Sequence, residues 1–228
     1  MANLFSIRQH SHIMNPVTRW KTAALSLSVI LGLTGAPQAS AADFTLTAAE
    51  TQRVDARQVV IRAALDSSQR RGTVRAAVLI DAPPSIIFKM MIHCADAVLY
   101  VPHLRLCRVR ERAPDNSWLL VEHEVDFGWY APKVRYLFHA DLVADHSIAF
   151  RQVSGDFKAY EGVWEMQPGG AADRTLLLYR AYVDPPGYIP NWLARSTFKR
   201  ELPQMLTELR RRCEAEQTLR VQAGASPH

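Results

Sequence analysis

Alternating apolar and polar residues mark a long series of β-strands along this chain. Such alternation places every second side chain on the same face of a sheet. Short segments rich in Gly, Pro, Asn and Asp separate most of the strands, and turns this short connect antiparallel neighbours. The predicted strands cover residues 58–65, 73–81, 104–112, 117–127, 132–143, 147–154, 159–167 and 174–184.

Helical patterns replace this alternation in three parts of the chain. A short helix or capped turn is predicted at 47–57, and a buried helix capped by Ser85 is predicted at 86–94, followed by a second piece at 95–100. A long helix at about 190–215 contains Pro203, which we expect to kink it because proline removes a backbone hydrogen bond. Its apolar stripe comprises Phe198, Leu202, Met205, Leu206, Leu209 and Cys213.

This order of elements predicts an α+β fold with a curved antiparallel sheet. The only element long enough to cover the apolar face of the sheet is the last helix, which leaves room for a hollow between them. We place one domain at 72–215, preceded by an extension at 42–71 that adds an edge strand. Residues 216–228 are predicted to form a disordered tail.

Four segments carry a resemblance to a known group of proteins. They are VRAAVLIDAPPSIIFKMMIHC, YVPHLRLCRV, GDFKAYEGVWEMQP and PNWLARSTFKRELPQMLTELRRR, within Gly72 to Arg212. With them the chain resembles the helix-grip START-like superfamily of lipid-transfer domains, polyketide cyclases and coenzyme Q-binding proteins, and especially its exported bacterial members. The resemblance implies a cavity for a hydrophobic molecule and transfers no catalytic residue. Ile92-His93 replaces the Thr-Asp pair that usually ends the first helix of this group.

The first 41 residues have the pattern of a secretory signal peptide. Arg19 and Lys21 precede an apolar run at 23–33, and Ala39-Ser40-Ala41 provides a cleavage site. The run of 11 residues is shorter than the roughly 20 of a spanning helix, which disfavours a membrane anchor. A start at Met14 gives a signal of more usual length. We therefore expect a mature periplasmic or secreted protein that begins near Ala42.

The net charge of +5 is a weak argument for nucleic-acid binding. Three basic residues and no acidic residue lie in the signal segment, so the remaining chain has 24 basic against 22 acidic residues. A nearly neutral domain lacks the basic surface that phosphate backbones require, and no nucleic-acid partner is expected. Arg210-Arg211-Arg212, with Lys199-Arg200 before it, complements the helix dipole, with transient contact to a membrane surface as the alternative.

The three cysteines predict one disulfide and one free thiol. In an oxidising compartment thiols usually pair. We predict a bridge between Cys94 and Cys107, with Cys213 buried on the stripe of the last helix, and three unpaired buried thiols as the alternative. A zinc site is disfavoured because no C-x-x-C or H-x-x-x-H spacing accompanies them.

Two residues are weak catalytic candidates, His123 and Arg180. His123 shares a strand face with Val121 and Val125, where it serves either as a proton donor or as a structural histidine. Arg180 is a candidate anchor for an anionic or carbonyl group, with a salt bridge as the alternative. Hydrolase, nucleotide-binding and metal motifs are absent from the sequence, so we predict no cofactor and no metal.

The aromatic residues of the later strands and the last helix suit an apolar pocket. The predicted ligand-binding residues are Tyr136, Phe138, Phe150, Tyr160, Trp164, Tyr182, Trp192 and Phe198. The leading hypothesis is an exported carrier for a hydrophobic molecule such as a lipid, quinone or polyketide. The alternatives are a cofactor-free cyclase or aromatase that uses His123 and Arg180, and a scaffold whose own side chains fill the cavity. The sequence does not identify protein partners.

Overall fold

The computed structural model describes residues 44–68, 70–171 and 173–224, so the predicted signal segment lies outside the described residues. Its centre is one antiparallel sheet of eight strands in the order β1-β2-β8-β7-β6-β5-β4-β3. All eight predicted strands are confirmed, and β1 forms the predicted edge. The strands are β1 (Val60–Leu65), β2 (Gly72–Ile80), β3 (Leu104–Arg112), β4 (Trp118–Val125), β5 (Val134–Val143), β6 (Ser147–Gly155), β7 (Ala159–Pro168) and β8 (Thr175–Asp184).

The sheet bends at defined irregularities. Register shifts interrupt the pairing of β3 with β4 and of β5 with β6, and such bulges increase the local twist of a sheet. On β7, Gly162 allows a close approach, because a Cβ there would lie 2.3 Å from the carbonyl oxygen of Arg180 and 2.8 Å from the ring of Phe150. These features give the sheet a concave face.

The helices begin at local signals in the sequence. Thr47 and Glu50 form a capping box at α1 (Ala48–Asp55). The N-cap of α2 (Pro84–Ile92) is Pro83 rather than the predicted Ser85, because Pro84 already has the fixed φ of a first helical residue. The chain continues through α3 (Cys94–Tyr100), α4 (Asn191–Ser196), a π-helical turn (Thr197–Glu201) and α5 (Leu202–Gly224). Within the described part of the chain, no helix is long and apolar enough to cross a membrane.

The C-terminal helix differs from its prediction in two respects. The irregularity expected at Pro203 takes the form of the π-helical turn that directly precedes α5. The predicted disordered tail is wrong for 216–224, which are helical. No proline or glycine interrupts 214–223, and Arg220 forms an ion pair of 2.8 Å with Glu216 one turn earlier, so the helix continues.

Two apolar cores lie on opposite faces of the sheet. The larger core packs the concave face against α2, α3 and α5. The smaller core lies on the outer face, where Phe44 and Val54 pack against Val60 of β1 and Leu178 of β8. The N-terminal extension therefore covers part of the outer face of the sheet.

Polar and covalent links fix the edges of this arrangement. Arg57 binds Asp81 at 2.8 Å and also pairs with Glu214, which joins the N-terminal extension to the end of β2 and to α5. The predicted disulfide between Cys94 and Cys107 is present and ties α3 to the edge strand β3. Cys213 is a buried free thiol, as predicted.

Candidate functional site

A cavity of about 280 Å³ lies between the concave face of the sheet and the C-terminal helix. Apolar side chains from both walls supply most of its lining. From the sheet they include Val74, Leu119, Val121, Val125, Val134, Phe138, Ala140, Leu142, Ile148, Phe150 and Trp164, from the segment after β4 Phe127, and from the helices Met91, Ala97, Ala194, Phe198, Leu202, Met205 and Leu209. This volume argues against the alternative of a scaffold whose own side chains fill the cavity.

Six of the eight predicted ligand-binding residues line this cavity: Tyr136, Phe138, Phe150, Tyr160, Trp164 and Phe198. Their rings pack on one another. The ring of Tyr136 meets that of Tyr160 edge-on with centroids 5.6 Å apart, and Trp164 stacks on Tyr179 at 4.1 Å. Such contacts hold the wall in one arrangement, so the cavity is largely preformed.

Arg180 and Tyr182 do not reach the cavity, which corrects two predictions. On β8 the residues that face inward are Leu177, Tyr179, Ala181 and Val183, so Arg180 and the 39% exposed Tyr182 lie on the outer face. The alternation could not reveal this orientation because Leu178, two residues before Arg180 on the same face, is also buried, in the second core.

Trp192 also lies outside the cavity and is 50% exposed. The helix α4 instead buries Leu193 and Ala194. Trp192 meets the ring of Tyr130 edge-on at 5.3 Å, and Tyr130 packs on the 87% exposed Trp129 at 4.2 Å. We call this exposed cluster of Trp129, Tyr130 and Trp192 the aromatic patch. It adjoins the cavity because Phe127 and Ala194, each two residues from a member of the patch, line the cavity wall.

His123 lies on the cavity wall, as its strand face predicted. Its Nδ1 is 3.0 Å from the hydroxyl oxygen of Tyr136, and its ring meets Phe138 edge-on at 4.9 Å. Burial lowers the pKa of His123 to about 4, because the cavity solvates the imidazolium poorly. The ring is therefore neutral near pH 7 and can exchange hydrogen bonds with a ligand without carrying charge.

Three tyrosines add polar ends to the apolar wall. Burial raises the pKa of Tyr136, Tyr160 and Tyr179, so all three remain neutral phenols. A phenol can donate to a carbonyl or accept from a hydroxyl. Together with His123 they suit a ligand that carries a few oxygen atoms on an apolar body.

Glu201 lines the cavity from the helix side and was not predicted as a site residue. Its side chain is only 16% exposed, and burial raises its pKa. The signal was present in the sequence, because Glu201 interrupts the apolar stripe three residues after Phe198 and four before Met205.

The arginine cluster at 210–212 is engaged within the protein. Arg210 donates to the carbonyl oxygen of Arg57 at 2.7 Å, and both Arg211 and Arg212 pair with Glu208. These contacts favour the structural interpretation of the cluster over contact with a membrane.

The comparisons with known proteins agree with this geometry. The family model described as polyketide cyclase/dehydrase and lipid transport matches residues 80–210, more than half of the chain. The chain belongs to this family. No curated protein matches the chain. In this member of the polyketide cyclase/dehydrase and lipid transport family, the matched segment holds nearly all of the cavity wall, whereas α1 and β1 lie outside it.

Three solved structures show the fold of the polyketide cyclase/dehydrase and lipid transport family in other proteins. A STAR-related lipid transfer protein from Xanthomonas axonopodis is similar with a TM-score of 0.56 and 18% identity, over 68% of this chain and 92% of that one. The Zhui aromatase/cyclase from Streptomyces sp. R1128 has a TM-score of 0.53 and 17% identity, over 69% of this chain and 99% of that one. A START superfamily protein from Mycobacterium smegmatis has a TM-score of 0.53 and 19% identity, over 63% of this chain and 98% of that one. The helix-grip prediction is thereby confirmed.

Proposed function

We propose that this protein is an exported carrier that holds a hydrophobic molecule between its sheet and its C-terminal helix. The observation that carries the proposal is the apolar cavity of about 280 Å³, lined by stacked aromatic side chains. Burial of apolar ligand surface in such a site is worth roughly 25 cal/mol per Å² before the costs of binding. A carrier needs such a lining and an opening, and no catalytic group.

The size of the cavity limits the ligand. Its volume of about 280 Å³ is just below the ~300–1,000 Å³ typical of sites for drug-sized molecules. The ligand is therefore a compact molecule, or an amphiphile that places only part of its length inside. Lipids, isoprenoid quinones and polyketide-like molecules remain the candidate classes.

Variants that fill the cavity test this proposal. Val121→Phe adds volume from the sheet wall and Met205→Phe from the helix wall, while Leu120→Phe adds the same ring on the opposite face of β4. We expect both cavity variants to bind the neutral dye Nile red at least 10-fold more weakly, and the control to bind it normally. Unchanged binding by both folded cavity variants would overturn the proposal.

The second candidate is a cofactor-free cyclase or aromatase. The observation that favours it is the pair formed by His123 and Tyr136 on the cavity wall, with nitrogen and oxygen 3.0 Å apart. Because burial keeps His123 neutral near pH 7, it would act as a base or a positioning group rather than as a cationic acid. Turnover of a poly-β-ketone model substrate that His123→Gln abolishes would support the enzyme. Binding without turnover supports the carrier.

We also propose transient contact with a membrane through the aromatic patch. Trp and Tyr favour the interface between water and lipid, and Arg195, Lys199 and Arg200 lie exposed on the adjoining helical segment, where they can attract anionic headgroups. Wild type is expected to sediment with vesicles that contain phosphatidylglycerol, and Trp129→Ala to do so several-fold less. Equal sedimentation of both proteins would contradict this surface.

Export rests on two supporting features. Residues 1–41 have the charge, apolar run and cleavage pattern of a signal peptide, and disulfides such as Cys94–Cys107 persist mainly in oxidising compartments. N-terminal sequencing of the protein from its native cells is expected to give a start near Ala42. A protein that retains residues 1–41 would contradict cleavage.

A further inference from the structure

We propose that Glu201 recognises the polar end of the ligand, and that this end is a hydrogen-bond donor, either an amine or a hydroxyl, rather than a carboxylate. The inference rests on the proposed carrier function and adds a class of ligand to it. It begins from an anomaly of the cavity: an acidic side chain, 16% exposed, on a helical wall that is otherwise apolar apart from Thr197.

The carboxylate of Glu201 is poorly satisfied by the protein. The hydroxyl of Thr197 lies 3.3 Å from Oε2, but the same hydroxyl lies 3.2 Å from the carbonyl oxygen of Leu193, and its single proton cannot serve both fully. On the other side, Nε2 of His103 is 3.8 Å from Oε1, beyond hydrogen-bond reach. Among the described residues no lysine or arginine forms an ion pair with Glu201.

The local backbone accounts for the position of this side chain. Glu201 closes the π-helical turn Thr197–Glu201, and Pro203 follows two residues later. A π-helical turn has i to i+5 hydrogen bonds, so it is wider than an α-helical turn, and it often marks a functional position. Here Thr197, Phe198, Glu201 and Leu202 all line the cavity, so the turn presents a broad part of the helix to the ligand.

The energetics favour a donor as the missing partner. A buried carboxylate without strong hydrogen bonds is costly, and the loss of hydration already raises the pKa of Glu201. A ligand that donates to this group recovers part of that cost, and a cationic amine adds charge attraction in a site of low polarity. A ligand carboxylate would instead meet like charge and be disfavoured.

Matched amphiphiles test the inference. Dodecylamine, dodecanol, dodecyl methyl ether and dodecanoate share one chain and differ only in the head, and each is titrated by displacement of Nile red below its micelle concentration. We expect the amine and the alcohol to bind wild type at least 10-fold tighter than the ether or dodecanoate. Glu201→Gln is expected to reduce the preference for amine over dodecanoate at least 10-fold, with little change for the ether.

The control separates this inference from the proposed function. Glu208→Gln changes a surface carboxylate on the same helix, whose partners are Arg211 and Arg212, and is expected to keep the preference of wild type. Equal affinity for all four heads, or a preference that Glu201→Gln leaves intact, would overturn the role of Glu201 alone. Failure of wild type to bind Nile red at all would overturn the carrier itself.

Discussion

Protonation of His123 is expected to cost this protein stability in mildly acidic solution. Burial holds the folded pKa of His123 at about 4, against about 6.5 for an exposed imidazole. As the pH falls below 6.5, His123 becomes protonated in the unfolded chain but stays neutral in the folded chain, so the free energy of unfolding decreases. The loss ends below pH 4, where both states are protonated.

The two pKa values give the size of the effect. The difference of roughly 2.5 units corresponds to about 3 kcal/mol in full, and about 2 kcal/mol is lost between pH 7 and pH 5. This is an upper bound, since part of the ring faces the cavity rather than packed side chains. A loss of this size is a large fraction of the stability of a typical domain.

Urea unfolding followed by tryptophan fluorescence can measure this loss in wild type and in His123→Gln. Both proteins retain Glu201 and the other carboxylates, so the difference between their pH profiles isolates the histidine. We expect the variant to lose about 2 kcal/mol less than wild type between pH 7 and pH 5. His146→Gln, at an exposed turn, is expected to keep the profile of wild type. Identical profiles for wild type and His123→Gln would refute the argument from burial.

Three further results are expected. Replacement of Cys94 and Cys107 by serine is expected to lower the free energy of unfolding by about 3 kcal/mol, since the bridge closes a loop with a separation of 13 residues. Burial raises the pKa of Cys213 to about 12, so this thiol is expected to resist alkylation until the protein unfolds. Rapid labelling of Cys213 in the folded protein would contradict this second expectation. Arg57→Ala removes the contacts to Asp81 and Glu214 and is expected to cost about 1 kcal/mol in chemical unfolding, whereas no change would show that the pairs are too exposed to matter.

The sequence predicted the strands well because their signals are local. For example, β7 was expected at 159–167 and spans Ala159–Pro168. The oxidising compartment and the spacing of the cysteines predicted the disulfide. The alternation of residues around His123 predicted which face of β4 points inward. Each of these inferences depends on a few neighbouring residues, and a short turn on either side fixes the register.

The errors arose where tertiary contacts decide the orientation. The first half of β8 is apolar on both faces, with Leu177 in the larger core and Leu178 in the smaller one, so alternation could not assign Arg180 or Tyr182 to a side. Trp192 was placed by its position near the helix start, but the packing of α4 turns it outward. Glu201 was missed although its spacing, three residues after Phe198 and four before Met205, places it on the apolar stripe of the last helix.

Native mass spectrometry of the protein isolated gently from its own cells would show whether the cavity holds a ligand. We expect one hydrophobic molecule bound per chain in the wild-type protein, and its loss in Val121→Phe, which fills the cavity from the sheet wall. Leu120→Phe, on the opposite face of the same strand, is expected to retain it. Wild-type protein that is isolated without a bound molecule, and that binds nothing from a total lipid extract of the same cells, would contradict the carrier function.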